Sequence, residues 1–201
     1  YFTYPAWTGG LYATPTMAGS RPGGLSAAAW ASMMRMGEEG YVRAARQIME
    51  TARAVRQGIW RVDGGYGRAL RVLGTPEGEE DGCTMVVAFA PTAVAAADPA
   101  APLNIYHVSD RMAKMGWSLN ALQHPASVHL CVTLRHVQAG VGGRFLADLE
   151  LAVQGAREAA VAASAATATA GGQKIHKEEG SAPVYGMASA LPAGPVKELL
   201  H

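Results

Sequence analysis

From Leu25 onward apolar residues return at helical spacing. Ala27, Trp30, Ala31 and Met34 fall on one face, a period that predicts an amphipathic helix. Gly37 ends this run, and Gly40 restarts it after Glu38 and Glu39, an acidic pair suited to a helix N-terminus. The second helix is better marked. Tyr41, Ala45, Ile48, Ala52 and Val55 recur at alternating intervals of four and three, leaving Arg43, Arg46, Glu50 and Arg53 on other faces. These aromatic, Met and aliphatic stripes are expected in a core rather than against a ligand.

Beyond Gly58 the period shortens. Ala69 to Leu73 reads as a strand, the acidic stretch Gly74 to Gly82 as a solvated hairpin-type loop, and Thr84 to Ala90 as a second strand. That strand is apolar throughout, so cover on both faces is expected. Ala93 to Pro102 is low-complexity Ala/Pro and predicts a flexible surface insertion. Asn104 is placed to cap a helix that turns Ile105, Val108 and Met112 inward and ends at Gly116. Two short strands follow, Trp117 to Leu122 and Val128 to Leu134, and then Phe145, Leu149, Ala152 and Ala156 trace a long Ala-rich helix. Strand, strand, helix, strand, strand, helix predicts a small α+β domain, an antiparallel sheet with helices on one face. Its boundary is expected near Gln57 and Gly58. The chain thus divides into residues 1–57, a small domain at 58–170, and a polar closing segment at 171–201 in which Lys174, Lys177, Glu178 and Glu179 suggest mobility.

Composition narrows the class. At 201 residues, with 49% hydrophobic and 16% charged residues, the chain is globular and large enough for a substantial core. A formal charge of +1 gives no overall field to recommend nucleic acid or an anionic membrane. The two cysteines, Cys83 and Cys131, lie in apolar strand-like runs and are expected as buried, reduced thiols. No apolar run approaches the ~20 residues of a membrane span, and no basic-then-apolar export signal opens the chain. It begins without Met, on core-grade Tyr1-Phe2-Thr3-Tyr4, and is therefore expected to be a fragment.

The chemistry concentrates in Leu11 to Gly24. Pro15 and Pro22 lock φ, while Gly19, Gly23 and Gly24 free the backbone or let another group come close. Between Gly19 and Pro22 stand one hydroxyl, Ser20, and one guanidinium, Arg21, side by side, a donor pair of the kind that meets an anion. The same residues also read as ordinary punctuation before a helix. The six histidines lack zinc spacing, and no metal site is expected. There is no Walker loop, no complete G-x-G-x-x-G and no G-x-S-x-G elbow. Of the four lysines, Lys114 suits a helix last turn, while Lys174, Lys177 and Lys197 lie in or near the polar closing segment. None has the desolvated setting of a Schiff-base lysine, so no catalytic residue is expected within this chain.

The ordered set Trp7-x-Gly-Gly-Leu-Tyr-Ala-x-Pro-Thr-x-Ala-Gly-Ser-Arg-Pro-Gly-Gly, Ala28-Ala29-Trp30, Gly37-Glu38-x-Gly40-Tyr41-Val42, Lys114-x-Gly116-Trp117-x-Leu119-Asn120, Val128-His129-x-Cys131-x-Thr133 and Val184-Tyr185-Gly186-Met187-Ala188 closely resembles the sphingosine-1-phosphate lyases. The resemblance implies an α/β type I fold dependent on pyridoxal 5'-phosphate, this chain covering the end of the large domain and the α+β C-terminal small domain. It implies scission of phosphorylated sphingoid bases to a long-chain aldehyde and phosphoethanolamine, the cofactor serving as electron sink. The family's cofactor-linking lysine precedes the stretch matching Tyr1 and is expected outside this chain, so the fragment alone is expected to be inactive.

Residue by residue, Ser20 matches a position that hydrogen-bonds the cofactor phosphate of the facing subunit, with Gly19 beside it. Tyr12 matches a tyrosine lining the substrate channel across a homodimer, and Arg21 is carried over to the same channel loop. Arg135 lies near the place where amino-acid decarboxylases of this fold hold a substrate carboxylate, but His136 is the lyase-like residue there. The resemblance further implies an endoplasmic-reticulum membrane location, the catalytic part facing the cytosol, anchored only through an N-terminal part not in this chain. An amino-acid decarboxylase of the same fold and a non-catalytic interaction module remain the alternatives.

Overall fold

The computed structural model describes residues 2–3, 8–9, 13–14, 19–74 and 84–169. Strands β1 (Phe2–Thr3) and β2 (Ala13–Thr14) pair antiparallel, with Phe2 opposite Thr14. Helix α1 (Gly23–Ile59) follows, broken at Gly37, whose φ of 62° and ψ of 177° lie outside the helical region. Only a residue without Cβ takes such angles cheaply. Gly37 thus ends the first segment as its sequence predicts, but the second begins at once with Glu38 rather than at Gly40.

Strands β3 (Leu70–Val72), β4 (Val86–Pro91), β5 (Asn120–Leu122) and β6 (Ser127–Cys131) form one antiparallel sheet in the order β3-β4-β6-β5. Register places Val72 opposite Phe89, Phe89 opposite Val128, and Val87 opposite Leu130. These residues share one face and are all buried. Against that face stand Ala52, Val55 and Ile59 of α1, Val108 and Met112 of α3 (Ile105–Lys114), and Phe145, Leu149 and Ala152 of α4 (Val141–Thr169). The predicted antiparallel sheet with helices against one face is what forms. Asn104 caps α3 as expected, its Oδ1 accepting from the Tyr106 amide at 2.9 Å, and Gly116 closes it at φ 89°.

Three expectations need correction. Strand β4 is covered only in part on its second face: Ala90 is buried, Ala88 is half-buried and Val86 is 37% exposed. Its small side chains leave that face to longer neighbours such as Arg71, His129 and Cys131, so apolar composition there does not signal a second layer. Cys131 is accordingly half-buried rather than sealed in the core. The Ala/Pro stretch is built into the domain. It contains α2 (Ala93–Ala96), capped by the Thr92 hydroxyl, and both Ala95 and Ala101 are fully buried. The Asp98 carboxylate accepts from the amides of Ala100 and Ala101 at 2.9 and 3.2 Å, and the Ala101 carbonyl accepts from the Tyr66 hydroxyl at 2.7 Å. Alanine, short of side chain, lets this backbone approach the core closely enough to make those bonds.

The first half of α1 departs from its predicted burial. Trp30 is 62% exposed and Met34 66% exposed; Tyr41 and Ala45 are exposed too, and only from Ile48 does the stripe turn inward. Helical period specifies a face, not the body that covers it.

The loop between α1 and β3 is fastened by two carboxylates. Glu150 of α4 accepts from the amides of Asp63 at 2.9 Å and Gly64 at 2.8 Å. Asp63 in turn accepts from Gly65 at 3.2 Å and Gly67 at 2.6 Å. Gly64 is required twice over, by its φ of 55° and because a Cβ there would run into Val153.

Candidate functional site

Gly19 to Pro22 forms an exposed approach to the N-terminus of α1. Pro22 stands at the N-cap with φ −59° and ψ 132°, and no side chain caps the helix. The Leu25 amide bonds the Pro22 carbonyl at 3.2 Å, leaving the first-turn amides of Gly23 and Gly24 as donors. The Ser20 hydroxyl engages none of the described residues. Arg21 bends back on its own loop, its Nη1 donating to the carbonyls of Gly19 at 3.1 Å and Ser20 at 3.4 Å. Its guanidinium thereby stiffens the segment that carries Ser20.

Nothing lies within 4 Å of a Cβ built at Gly19, Gly23 or Gly24, and none of the three has positive φ. Neither conformation nor the neighbours described here explain glycine at these positions. Glycine at such positions leaves room for close approach by another group. A hydroxyl with no partner among the described residues, beside a helix N-terminus that no side chain caps, is a donor set that suits a phosphate ester. Tyr12 lies outside the described residues, as do Cys83 and the three lysines of the closing segment. Upstream, the Thr8 carbonyl accepts from the Gln123 amide at 3.0 Å, tying the segment before the loop to the end of β5.

A second cluster joins the end of α3 to α4. The Trp117 indole N–H donates to Asp148 Oδ2 at 2.7 Å. Arg144 lies over the Trp117 ring at 5.4 Å and reaches the same carboxylate at 3.4 Å. His136 stacks on Trp117 with ring centroids 6.4 Å apart, and its Nδ1 accepts from the Thr133 amide at 3.0 Å. That bond leaves the ring proton on Nε2, the nitrogen turned away from Thr133. Arg135, beside it, is exposed. Sequence spacing relates Arg144 to Asp148, four apart on one helix, but carries no signal for Trp117, which is 31 residues from its carboxylate.

His129 and Cys131, two apart on β6, share the second face of the sheet, and Asn120 Nδ2 stands 3.3 Å from His129 Nε2. Burial lowers the His129 pKa below the usual 6.5. The unfolded chain therefore takes up this proton first as pH falls, and stability declines from about pH 6.5 downward until the folded ring also titrates. The thermal midpoint should fall between pH 7.5 and 5.5, and His129→Gln should flatten that decline. Parallel curves for the two proteins would contradict the assignment.

Among the described residues no group of three His, Cys, Asp or Glu side chains could hold a metal ion, and no helix is long and apolar enough to cross a membrane.

No protein-family model matches the chain. Among curated proteins it is 40% identical over 195 residues to a sphingosine-1-phosphate lyase of Arabidopsis thaliana and 35% identical over 192 residues to one of Dictyostelium discoideum. Each match takes in 96% of this chain and 29% of the relative. With sphingosine-1-phosphate lyase 1 of Rattus norvegicus it shares 37% over 153 residues, 76% of this chain and 23% of the rat protein. Among solved structures, a sphingosine-1-phosphate lyase of Burkholderia pseudomallei matches with a TM-score of 0.54 at 39% identity, over 84% of this chain and 34% of that one. The chain thus spans about three-tenths of the length of its curated relatives, within their C-terminal part.

Proposed function

The chain belongs to the sphingosine-1-phosphate lyase family over the C-terminal stretch that it matches, and from that premise we infer that the protein carrying it cleaves phosphorylated sphingoid bases to a long-chain aldehyde and phosphoethanolamine. The observation that carries this reading is identity of 35 to 40% sustained over 96% of the chain with lyases from a plant and an amoeba. Pyridoxal 5'-phosphate, when bound, supplies the electron sink for scission of the carbon–carbon bond.

This chain's part is to bind and position. Ser20 donates its hydroxyl to a phosphate oxygen of the cofactor held by the facing subunit of a homodimer. Gly19, Gly23 and Gly24 let that phosphate meet the N-terminal amides of α1, whose dipole favours it. Arg21 holds the loop in shape at the mouth of the substrate channel, and Tyr12 lines the channel. The uncovered stripe of Trp30, Met34 and Tyr41 packs on the large domain. Membrane attachment at the endoplasmic reticulum belongs to regions of the protein other than these residues.

The cofactor-linking lysine lies outside this chain. Borohydride reduction of the cofactor-loaded longer protein, followed by peptide mapping, should leave the pyridoxyl label on a lysine preceding Tyr1. The 201-residue chain treated in the same way should acquire no label at a defined lysine. Stoichiometric labelling of Lys114, Lys174, Lys177 or Lys197 would overturn this division of labour.

A further inference from the structure

A concavity of about 720 Å³ opens beside the start of α3, lined in part by the Ala/Pro stretch. We propose that it binds a single-chain amphiphile with a carboxylate head, the alkyl chain lying on its apolar wall and the head at Arg71. This reading stands apart from the lyase assignment and does not rest on it.

The volume falls in the range of small-molecule sites. Around Leu103, Ile105 and Tyr106 its walls are small or rigid, with alanines at 90, 93, 96 and 126 and prolines at 91, 102 and 125. Alanines leave room where longer side chains would fill the space, and prolines hold the walls apart. Lining atoms are mostly apolar, so a hydrocarbon chain entering there sheds water at roughly 25 cal/mol per Å² of area covered.

The few polar groups decide the head. The Thr92 hydroxyl is already spent, donating to the Arg68 carbonyl at 2.8 Å and accepting from the Ala95 amide at 3.2 Å. Asn104 Oδ1 is spent on the Tyr106 amide at 2.9 Å. What remain are donors. The Asn104 side-chain N–H₂ and the exposed Arg71 guanidinium engage none of the described residues. Arg71 is the one charged group in the lining. A guanidinium fork matches the two oxygens of a carboxylate. One positive charge balances a carboxylate, whereas a phosphate monoester carries about −1.5 to −2 at neutral pH.

Isothermal titration of the 201-residue chain with decanoate below its micellar range tests this, with decanol, decyl phosphate and decyltrimethylammonium as comparators. Decanoate should bind at one site, about tenfold more tightly than decanol and more tightly than the other two. Arg71→Gln should remove the advantage over decanol. Ala96→Phe, at an exposed lining position, should weaken both decanoate and decanol at least tenfold, and Ala93→Phe should do the same from the neighbouring position. Absence of saturable binding, equal affinity for decanoate and decyltrimethylammonium, preference for decyl phosphate, or indifference to the filling variants would each overturn the proposal.

Discussion

Phe89→Ala should remove about 3 to 5 kcal/mol of stability, the largest single loss expected from one side chain in the sheet. Phe89 is fully buried on β4, between β3 and β6, with Val72 opposite on one side and Val128 on the other. Truncation both forfeits the ring's transfer energy and leaves a cavity that two paired strands cannot collapse to fill. Against a typical total of about 5 to 15 kcal/mol, the variant should be largely unfolded at concentrations of urea that leave the parent chain intact. Trp30→Ala is the informative control. Trp30 is the larger aromatic but is 62% exposed, and its removal should cost about 0.5 kcal/mol or less. Equal losses for the two variants would mean that the first half of α1 is covered in solution.

Ser20→Ala should weaken cofactor binding by the longer protein about tenfold to a hundredfold. A hydrogen bond to a charged acceptor contributes roughly 1.5 to 3 kcal/mol, and each 1.4 kcal/mol is a factor of ten. Ser20→Thr keeps the hydroxyl and should restore most of the affinity. Because Ser20 is exposed and its hydroxyl engages none of the described residues, the thermal midpoint of the 201-residue chain should stay unchanged in both variants. Unaltered cofactor affinity in the alanine variant would remove Ser20 from the phosphate site. A lowered midpoint would instead make its role structural.

Local signals in the sequence foretold the local structure well. Asn104 as a cap, Gly116 as a stop and the stripe of Phe145, Leu149, Ala152 and Ala156 each depend on residues within a turn or two, and each stands where the pattern puts it. Failures came where a distant partner decides. The Ala93 to Pro102 stretch has no period of its own and is ordered by Thr92, Asp98 and the Tyr66 hydroxyl. The outer face of β4 is apolar along its length yet buried only at Ala90, because its cover comes from longer side chains on neighbouring strands such as Arg71 rather than from a second layer. The approach of Trp117 to Asp148, or of Arg71 to the start of α3, depends on how α3, α4 and the sheet assemble. Periodicity does not encode that.

The candidate site was legible in a different way. Physical reading of Ser20, Arg21 and the flanking glycines leaves two choices, an anion-binding turn or ordinary punctuation before a helix, and only the ordered resemblance points to an anion. The fold adds what neither supplies. Arg21 is turned onto its own loop, and three glycines stand where nothing in their described surroundings requires them. Both observations agree with the proposed reading of the loop as half of a shared site, and the Ser20 variants test it.

Product analysis tests the proposed chemistry most directly. Loaded with pyridoxal 5'-phosphate and given sphingosine-1-phosphate in detergent, the protein carrying this chain is predicted to release a long-chain aldehyde and phosphoethanolamine in equal amounts, and no carbon dioxide from glutamate or aromatic amino acids. Release of carbon dioxide from those amino acids, with sphingosine-1-phosphate left intact, would contradict it.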